Sequence, residues 1–163
     1  ELSYPGGPYI EKLATAGNEN AYDFPRPMIR SNNLDMSFSG LKTSVLYKVN
    51  KIDDLDDSKK ADVAASFQKA VTDVLVAKIK KAVDQTNRKE VIIAGGVAAN
   101  KFIRGEFKKL ENLLGIKVYF PDLKYCGDNA AMIAFVGSKM RANKKNINPS
   151  KVRARWPINE LNK

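Results

Sequence analysis

The chain of 163 residues carries 28 Lys and Arg against 18 Asp and Glu, a formal net charge of +10, with no His and a single Cys. The absence of His excludes Ser-His-Asp and Cys-His catalysis and Cys₂His₂ zinc sites within the chain, and one Cys excludes an intramolecular disulfide and favours a reducing compartment. The positive charge favours a polyanionic partner, nucleic acid first, although a lysine-rich solvated surface gives the same balance.

The first 57 residues are predicted to form a helical and hairpin insertion that carries the motifs YPGGP and SFSGLKT. Apolar residues at helical spacing predict a short helix over residues 8–16 with Gly17 as its C-cap, and the prolines of DFPRPM hold that stretch extended. The alternation in LDMSFSG predicts a half-buried strand or hairpin arm. A helix is expected over residues 41–49, and the acidic stretch DDLDD is expected to supply negative charge at the start of the next helix.

Residues 58–163 are predicted to form the second part, a lobe of α/β type, and the two parts are expected to make one compact unit. One apolar face predicts a long helix over residues 58–86, and VIIA (91–94) is typical of a strand buried on both faces. A helix over 100–113, the strand KVYFP and a helix over 128–140 follow, and the basic tail contains ARWP, whose Trp is expected to anchor on a core. The order strand–helix–strand predicts a βαβ unit with parallel strands and a right-handed crossover.

Two loops leave the carboxyl edge of that parallel unit, GGVAAN (95–100) and DLKYCGDN (122–129). Ligands bind beyond the carboxyl ends of parallel strands, so residues of the two loops are expected to converge on one crevice. Gly95 and Gly96 let the chain turn sharply and let a flat ring or a phosphate lie on the backbone, so the first loop is either a plain turn or a ligand site. Asn100 either caps the following helix or hydrogen-bonds a ligand hydroxyl.

In the second loop, Asp128 stands where a helix is predicted to start. It is either the N-cap of that helix or a carboxylate aimed into the crevice as a metal ligand or a base. Cys126 is disfavoured as a nucleophile, because no His accompanies it and Lys124 is the one cation beside it in the sequence. In SFSGLKT, cap chemistry explains the Ser-Gly pair, and Lys42 either neutralises a phosphate or is an ordinary exposed lysine.

Seven motifs, taken in order, carry a family resemblance: YPGGP, DFPRPM, SFSGLKT, ASFQKAV, AGGVAANKFIR, FPDLKYCGDNAAMIAF and ARWP. They closely resemble the C-terminal half of the bacterial TsaD (YgjD/Gcp) family, the tRNA threonylcarbamoyladenosine transferases once labelled O-sialoglycoprotein endopeptidases. The resemblance covers essentially the whole chain. It implies an α/β fold of the actin-like and Hsp70-like ATPase (ASKHA) type, of which this chain is expected to be the C-terminal lobe, helix-rich with a small parallel βαβ sheet.

The resemblance also implies a reaction and a set of site residues. Members of the family transfer a threonylcarbamoyl group from threonylcarbamoyl-AMP, an adenine nucleotide, to N6 of the adenosine adjacent to the anticodon (t6A formation). The nucleotide-binding residues carried over are Gly7 of YPGG and Asn100 of GGVAAN, with Gly95 and Gly96 beside the adenosine. One divalent metal, iron or zinc, is held in the family by two histidines of an HxxxH motif in the N-terminal lobe and by the aspartate that matches Asp128.

The chain departs from the family pattern at two positions, since Gly127 stands where Thr or Ser usually precedes the metal aspartate and Met36 stands where Phe is common. The N-terminal lobe with its HxxxH pair is expected to lie outside this chain, so the metal site is expected to be incomplete and the isolated chain inactive. The expected partners are tRNA, TsaB-like and TsaE-like proteins and the missing lobe, in the cytoplasm. No membrane is expected, because no stretch approaches the roughly 20 apolar residues of a span.

Three other functions compete with this interpretation. The main alternative is a non-catalytic nucleotide-binding or scaffold lobe, a pseudoenzyme partner of the same fold, and the retained Asp128 counts against it. A peptidase is disfavoured because the chain contains no peptidase constellation. A small-molecule kinase of the same fold is disfavoured because YPGGP and SFSGLKT do not resemble sugar-kinase motifs.

Overall fold

The structure is a computed structural model that describes residues 4–143. Within them β1 (Glu90–Ile92), α4 (Lys101–Leu114) and β2 (Lys117–Tyr119) form the predicted βαβ unit, and its two strands pair in parallel. The described chain is therefore a helix-rich α/β structure with a small parallel sheet, as the sequence predicted. The motif ARWP and the anchoring role expected of Trp156 lie outside the described residues. The elements are α1 Gly6–Ala14, α2 Ser39–Asn50, α3 Asp57–Thr86, β1 Glu90–Ile92, α4 Lys101–Leu114, β2 Lys117–Tyr119 and α5 Ala130–Ala142, with short 3₁₀ turns at Gly96–Ala99 and Leu123–Tyr125.

Two compact units divide the chain, Glu1–Gly127 and Asp128–Lys163. The first contains α1 to α4 and the sheet, and the described part of the second contains α5. The predicted division after residue 57 stays a prediction about domain organisation. None of the helices in the described part of the chain combines the length and the apolar character that a membrane span needs.

The long helix α3 is the centre of the first unit, and three apolar clusters lie along it. Asp56 begins the helix by accepting a hydrogen bond from the Lys59 N–H at 2.7 Å, and Asn87 ends it in the left-handed conformation. Small alanine side chains on α3 let α1 pack closely, whereas α4 and the sheet pack on its C-terminal half. The clusters comprise Ala14, Ala64 and Ala65; Phe24, Leu41, Val63 and Ala70; and Val83, Ile103, Phe107, Leu110, Ile116 and Val118.

The connection between α1 and α2, residues 15–38, follows α3 in the same chain direction. Side chains of α3 form hydrogen bonds with the polar groups of this connection, because an irregular segment has no regular backbone hydrogen bonds of its own. The contacts are Asn18 N–H to Asp62 Oδ1 (2.7 Å), Tyr22 N–H to Ser66 Oγ (3.1 Å), Arg26 Nε to Asp73 Oδ2 (3.1 Å) and Lys78 Nζ to Ser31 Oγ (2.7 Å).

Gly17 lies in this connection and is not the C-cap that the sequence predicted. The helix α1 ends at Ala14 with Thr15 as its C-cap. A Cβ added to Gly17 would overlap the carbonyl group of Ala61 on α3. The glycine is therefore required by close backbone-to-backbone packing of the connection on α3.

Residues 34–39 do not form the predicted strand or hairpin arm. In the described chain the sheet contains β1 and β2, and α2 already begins at Ser39. The apolar residues Leu34, Met36 and Phe38 are partly exposed to solvent instead of covering a core. Alternation produces a strand only where a neighbouring strand offers hydrogen-bond partners, and the structure describes none beside this segment.

The strand β1 is not buried on both faces, so this prediction from VIIA is wrong. Val91 packs against the cluster formed with α4, but Ile92 keeps 76% of its surface exposed. A strand is buried on both faces only when other elements cover both sides of its sheet. In the described residues, α3 and α4 supply that cover on one side.

Candidate functional site

Three of the sequence motifs meet around one open groove in the first unit. Its volume is about 780 Å³, which is within the range of small-molecule sites. The groove lies between α1, α2, α3 and the 3₁₀ turn that follows Gly95. The lining residues are Ile10 of α1; Phe38, Ser39, Lys42 and Val45 at and after SFSG; Phe67, Val71 and Leu75 of α3; and Val97 of the turn.

The chemistry of the groove is that of an apolar slot with one cation at its rim. Seven of its lining residues are apolar, and the two polar ones are Ser39 and Lys42. Lys42 is exposed, and no ion pair joins it to a carboxylate in the part of the chain that the structure describes. The helix α2 also begins beside the groove without a side-chain cap or an acidic first turn. Apolar walls suit a flat ring, whereas Lys42 suits an anionic group attached to it.

The GGVAAN turn brings Val97 to the groove because of the backbone at Gly95. Gly95 has φ 93° and ψ 173°, a conformation that is essentially restricted to glycine. A Cβ added to Gly95 or Gly96 would meet no atom within 4 Å, so both glycines face open space. Gly95 is thus required by the turn, while Gly96 leaves an uncovered backbone surface.

Asn100 has the capping role that the sequence left open. Its Oδ1 accepts a hydrogen bond from the Ile103 N–H at 2.9 Å, and its Nδ2 donates to Gln68 Oε1 at 2.7 Å. Glu11 on α1 accepts a further bond from the Lys101 N–H at 2.7 Å. The start of α4 is therefore tied both to α1 and to α3. One hydrogen on Nδ2 remains after these bonds, since an amide nitrogen carries two.

Replacement of Asn100 by Ala is expected to lower the free energy of unfolding by about 1–3 kcal/mol, because it removes the cap and leaves the buried Gln68 amide oxygen without its donor. Asn100→Asp keeps an acceptor for the Ile103 N–H and is expected to lose less. Urea unfolding of both variants checks the order. Asn112→Ala, an exposed change on the same helix, serves as the control, and equal stabilities of Asn100→Ala and the control would contradict the prediction.

Gly7 lies in the first turn of α1, one turn before the groove residue Ile10. It is exposed, and a Cβ added to it would meet no atom within 4 Å. Pro5 precedes the helix and supplies no side-chain cap. The first turn of α1 is therefore open to a ligand, and contact of Gly7 with a nucleotide stays a prediction.

Arg104 is a residue at the carboxyl edge of the sheet that the sequence reasoning missed. Its Nε donates to Ala98 O at 2.6 Å, and its Nη2 lies 2.8 Å from Pro121 O and 3.3 Å from Cys126 Sγ. One guanidinium thus touches both of the loops that leave this edge. The motif AGGVAANKFIR contains the residue, but a cation early in a helix is typical of an ordinary exposed side chain.

Asp128 begins the second unit and is exposed. The N-cap interpretation of this residue is wrong, because Asn129 caps α5 by accepting from the Met132 N–H at 3.0 Å. None of the residues of α5 is buried. Asn100 belongs to the other unit, so the convergence of Asn100 and Asp128 on one crevice stays a prediction.

The residues of the described range do not by themselves form a metal site. Within residues 4–143 no three His, Cys, Asp or Glu side chains group closely enough to hold an ion. The chain contains no His at all. Asp128 can therefore contribute at most a single carboxylate to a metal whose other ligands come from elsewhere.

A family model described as TsaD, tRNA N6-adenosine threonylcarbamoyltransferase, matches residues 1–135. The chain is similar to curated proteins that carry the same name. It is 52% identical over 139 residues to that of Thermosipho africanus (85% of this chain, 42% of the relative) and 47% identical over 147 residues to that of Thermosipho melanesiensis (90% and 44%). Over 178 aligned positions it is 42% identical to that of Neisseria meningitidis (98% and 50%). The chain spans about half the length of the curated relatives that it matches.

Proposed function

The chain belongs to the TsaD family, as its motifs predicted, and from that membership we propose that it is the C-terminal lobe of an actin-like (ASKHA) transferase that modifies tRNA. The proposed activity of the whole protein moves threonylcarbamoyl from threonylcarbamoyl-AMP to N6 of the adenosine adjacent to the anticodon. The relatives carry the name of that activity, and the chain covers 42–50% of their length. The helix-rich α/β structure with its parallel βαβ unit is compatible with one lobe of such a fold.

The groove is the observation that carries this proposal, because it joins the elements that bear the predicted nucleotide-binding residues. Gly7 precedes Ile10 on α1, and Gly95 and Gly96 lead into Val97. The adenosine would lie between the apolar walls, with its edge against the open backbone of the glycines. This arrangement favours a nucleoside-binding wall over a cradle for phosphates alone.

Lys42 is the groove residue suited to the phosphate of the adenylate. In the proposed transfer, N6 of the tRNA adenosine forms a bond to the carbamoyl carbon, the bond from that carbon to the phosphate oxygen breaks, AMP leaves and the amine releases a proton. Negative charge grows on the leaving phosphate, so a nearby ammonium group stabilises the transition state more than the ground state. Asn100 can offer its remaining amide hydrogen to a ligand hydroxyl.

Asp128 is proposed to supply one ligand to the divalent metal, iron or zinc, that the family is expected to use. The two histidines of the HxxxH motif would come from outside this chain, which has no His. The described residues alone do not complete that site, and the steps assigned to this chain are therefore binding and orientation of the nucleotide.

The proposed macromolecular substrate is tRNA, and the charge balance supports it. The chain has a formal net charge of +10, and α2 carries Lys42 and Lys48 without an acidic residue. Contacts of this kind bind the phosphate backbone and weaken as salt concentration rises. The proposed protein partners are TsaB-like and TsaE-like proteins, and the proposed compartment is the cytoplasm.

Titration of the chain with AMP tests the groove. We expect AMP to bind, and we expect Val97→Asp to weaken the affinity about tenfold, because the new carboxylate lies on an apolar wall and repels the phosphate. Leu113→Asp adds the same charge at an exposed position of α4 outside the groove and is expected to leave the affinity unchanged. Equal effects of the two substitutions on the affinity for AMP would show that the nucleoside does not bind in the groove.

The isolated chain is expected to form no t6A when it is mixed with tRNA and threonylcarbamoyl-AMP, because part of the catalytic site is proposed to lie outside it. Mass spectrometry of the digested tRNA measures the product, and the complete Thermosipho africanus relative serves as the positive control, with TsaB-like and TsaE-like proteins added to both reactions. Product formed by the purified 163-residue chain would contradict the proposal that a second lobe is required.

A further inference from the structure

We propose that Arg104 is a positioning residue that holds the GGVAAN turn and the loop of residues 120–126 in one arrangement, so that a change in the first loop is transmitted to Cys126. The biological use of this coupling rests on the nucleotide role proposed for the groove. The coupling itself rests on contacts within the first unit, and it is tested without a nucleotide.

The contacts of Arg104 reach three backbone or side-chain acceptors in two loops. The Nε–H donates to Ala98 O, at 2.6 Å, inside the turn that presents Val97 to the groove. The Nη2 group donates to Pro121 O at 2.8 Å, just after β2, and lies 3.3 Å from the sulfur of Cys126. A shift of Ala98 therefore moves a group that also holds the second loop.

The core fixes the position of this guanidinium. Arg104 lies over the ring of Phe120 at 4.8 Å from its centroid, and the Phe120 ring lies 6.4 Å from that of Phe107. Phe107 is 1% exposed and belongs to the core cluster of α4 and the sheet. The guanidinium carbon thus lies over the partly buried Phe120 ring, which in turn packs on the buried Phe107, while the guanidinium nitrogens donate to the loops.

Only the planar fork of arginine fits this set of acceptors. Its donors point in fixed directions from one plane, so they reach Ala98 and Pro121 at once. A lysine at position 104 keeps the charge but carries its donors on a single nitrogen, which cannot occupy both positions. The substitution Arg104→Lys therefore separates the geometry of the side chain from its charge.

Cys126 offers a direct measurement of the arrangement, since it is the single cysteine of the chain. Its side chain is 4% exposed, and its thiol also lies 3.7 Å from Asp122 O. Alkylation of this thiol requires the second loop to open, so the rate reports the population of the open loop. The rate in urea gives the value for a fully exposed thiol.

In the experiment, iodoacetamide alkylates the folded chain and mass spectrometry follows the modified fraction. We expect Arg104→Lys and Arg104→Met to react about tenfold faster or more than the parent chain, because hydrogen bonds from a charged group to the loop are lost. Arg88→Gln, which removes an exposed arginine after α3, is expected to leave the rate unchanged. Urea unfolding of each variant separates local opening from a loss of global stability. A rate for Arg104→Lys equal to that for Arg88→Gln overturns the proposal.

A double-mutant cycle tests transmission between the loops. Gly95→Ala strains the first loop at its φ of 93°, and we expect it to speed alkylation of Cys126 several-fold in the parent chain but not in the Arg104→Lys background. Additive effects overturn the coupling. Saturating AMP should slow alkylation in the parent chain alone. If AMP does not bind, the nucleotide role of the groove fails, whereas the cycle still decides the role of Arg104.

Discussion

Replacement of Gly17 by Ala is expected to lower the free energy of unfolding by about 3 kcal/mol or more. The added Cβ would overlap the carbonyl group of Ala61 and would lie 2.7 Å from the nitrogen of Asp62. Both are backbone atoms of α3, so no side-chain rotation relieves the contact. The connection of residues 15–38 would have to move away from α3, and the hydrogen bond from the Asn18 N–H to Asp62 Oδ1 would lengthen with it.

Gly105→Ala is the matched control for this prediction. Gly105 is an exposed position within α4, and a Cβ there would meet no atom within 4 Å. Alanine favours a helix more than glycine does, so this substitution is expected to stabilise the chain by about 0.5–1 kcal/mol. Urea unfolding followed by circular dichroism measures both. The same small stabilisation at both positions would show that the connection does not pack this closely on α3.

Replacement of Lys78 by Met is expected to cost about 1–3 kcal/mol. Lys78 is 3% exposed, and its ammonium group donates to Ser31 Oγ at 2.7 Å and to Asn33 O at 2.9 Å. Methionine has a similar length but no donor, so Ser31 Oγ and Asn33 O lose the hydrogen bonds that the ammonium group donates. Lys81 still donates to Ser31 O at 2.8 Å, which limits how far the connection separates from α3.

Lys80→Met is the control for Lys78→Met, because Lys80 is an exposed neighbour on the same helix. It is expected to change stability by no more than about 0.5 kcal/mol. Limited trypsin digestion supplies a local measurement, since Arg30 lies in the connection that Lys78 holds. We expect faster cleavage after Arg30 in Lys78→Met only. Identical stability and cleavage in both variants would mean that the buried ammonium contributes nothing to the fold.

The helices and the parallel strand pair follow from local patterns. The long helix was predicted over residues 58–86 and is observed as Asp57–Thr86, because its apolar period and its acidic start are both properties of neighbouring residues. The predictions of a strand at residues 34–39 and of burial of β1 on both faces were wrong for a common reason. Both depend on which distant segments lie alongside, and a periodic pattern does not contain that information.

The candidate site likewise has features that the sequence predicts and features that only the fold reveals. Its motifs mark the GGVAAN turn and SFSGLKT as sites of interest, and they identify the family. The groove that joins them is formed by α1, α2 and α3, which are distant in sequence. The alternatives for Asn100 were a cap and a ligand contact, and the cap became evident only from the distances to Ile103 and Gln68.

The sequence by itself determined the family, the positions of the helices and the absence of histidine chemistry, because each of these is encoded in residue type and local spacing. Tertiary structure alone decided that Gly17 is a packing glycine, that Lys78 is buried and that Arg104 bridges two loops. These roles arise from contacts between residues that are distant in sequence. Arg104 and Pro121 are 17 residues apart, and Lys78 and Ser31 are 47 residues apart. The sequence around a glycine, a lysine or an arginine looks the same whether that residue is exposed or takes part in such a contact. Only the neighbours that the fold supplies distinguish the two cases.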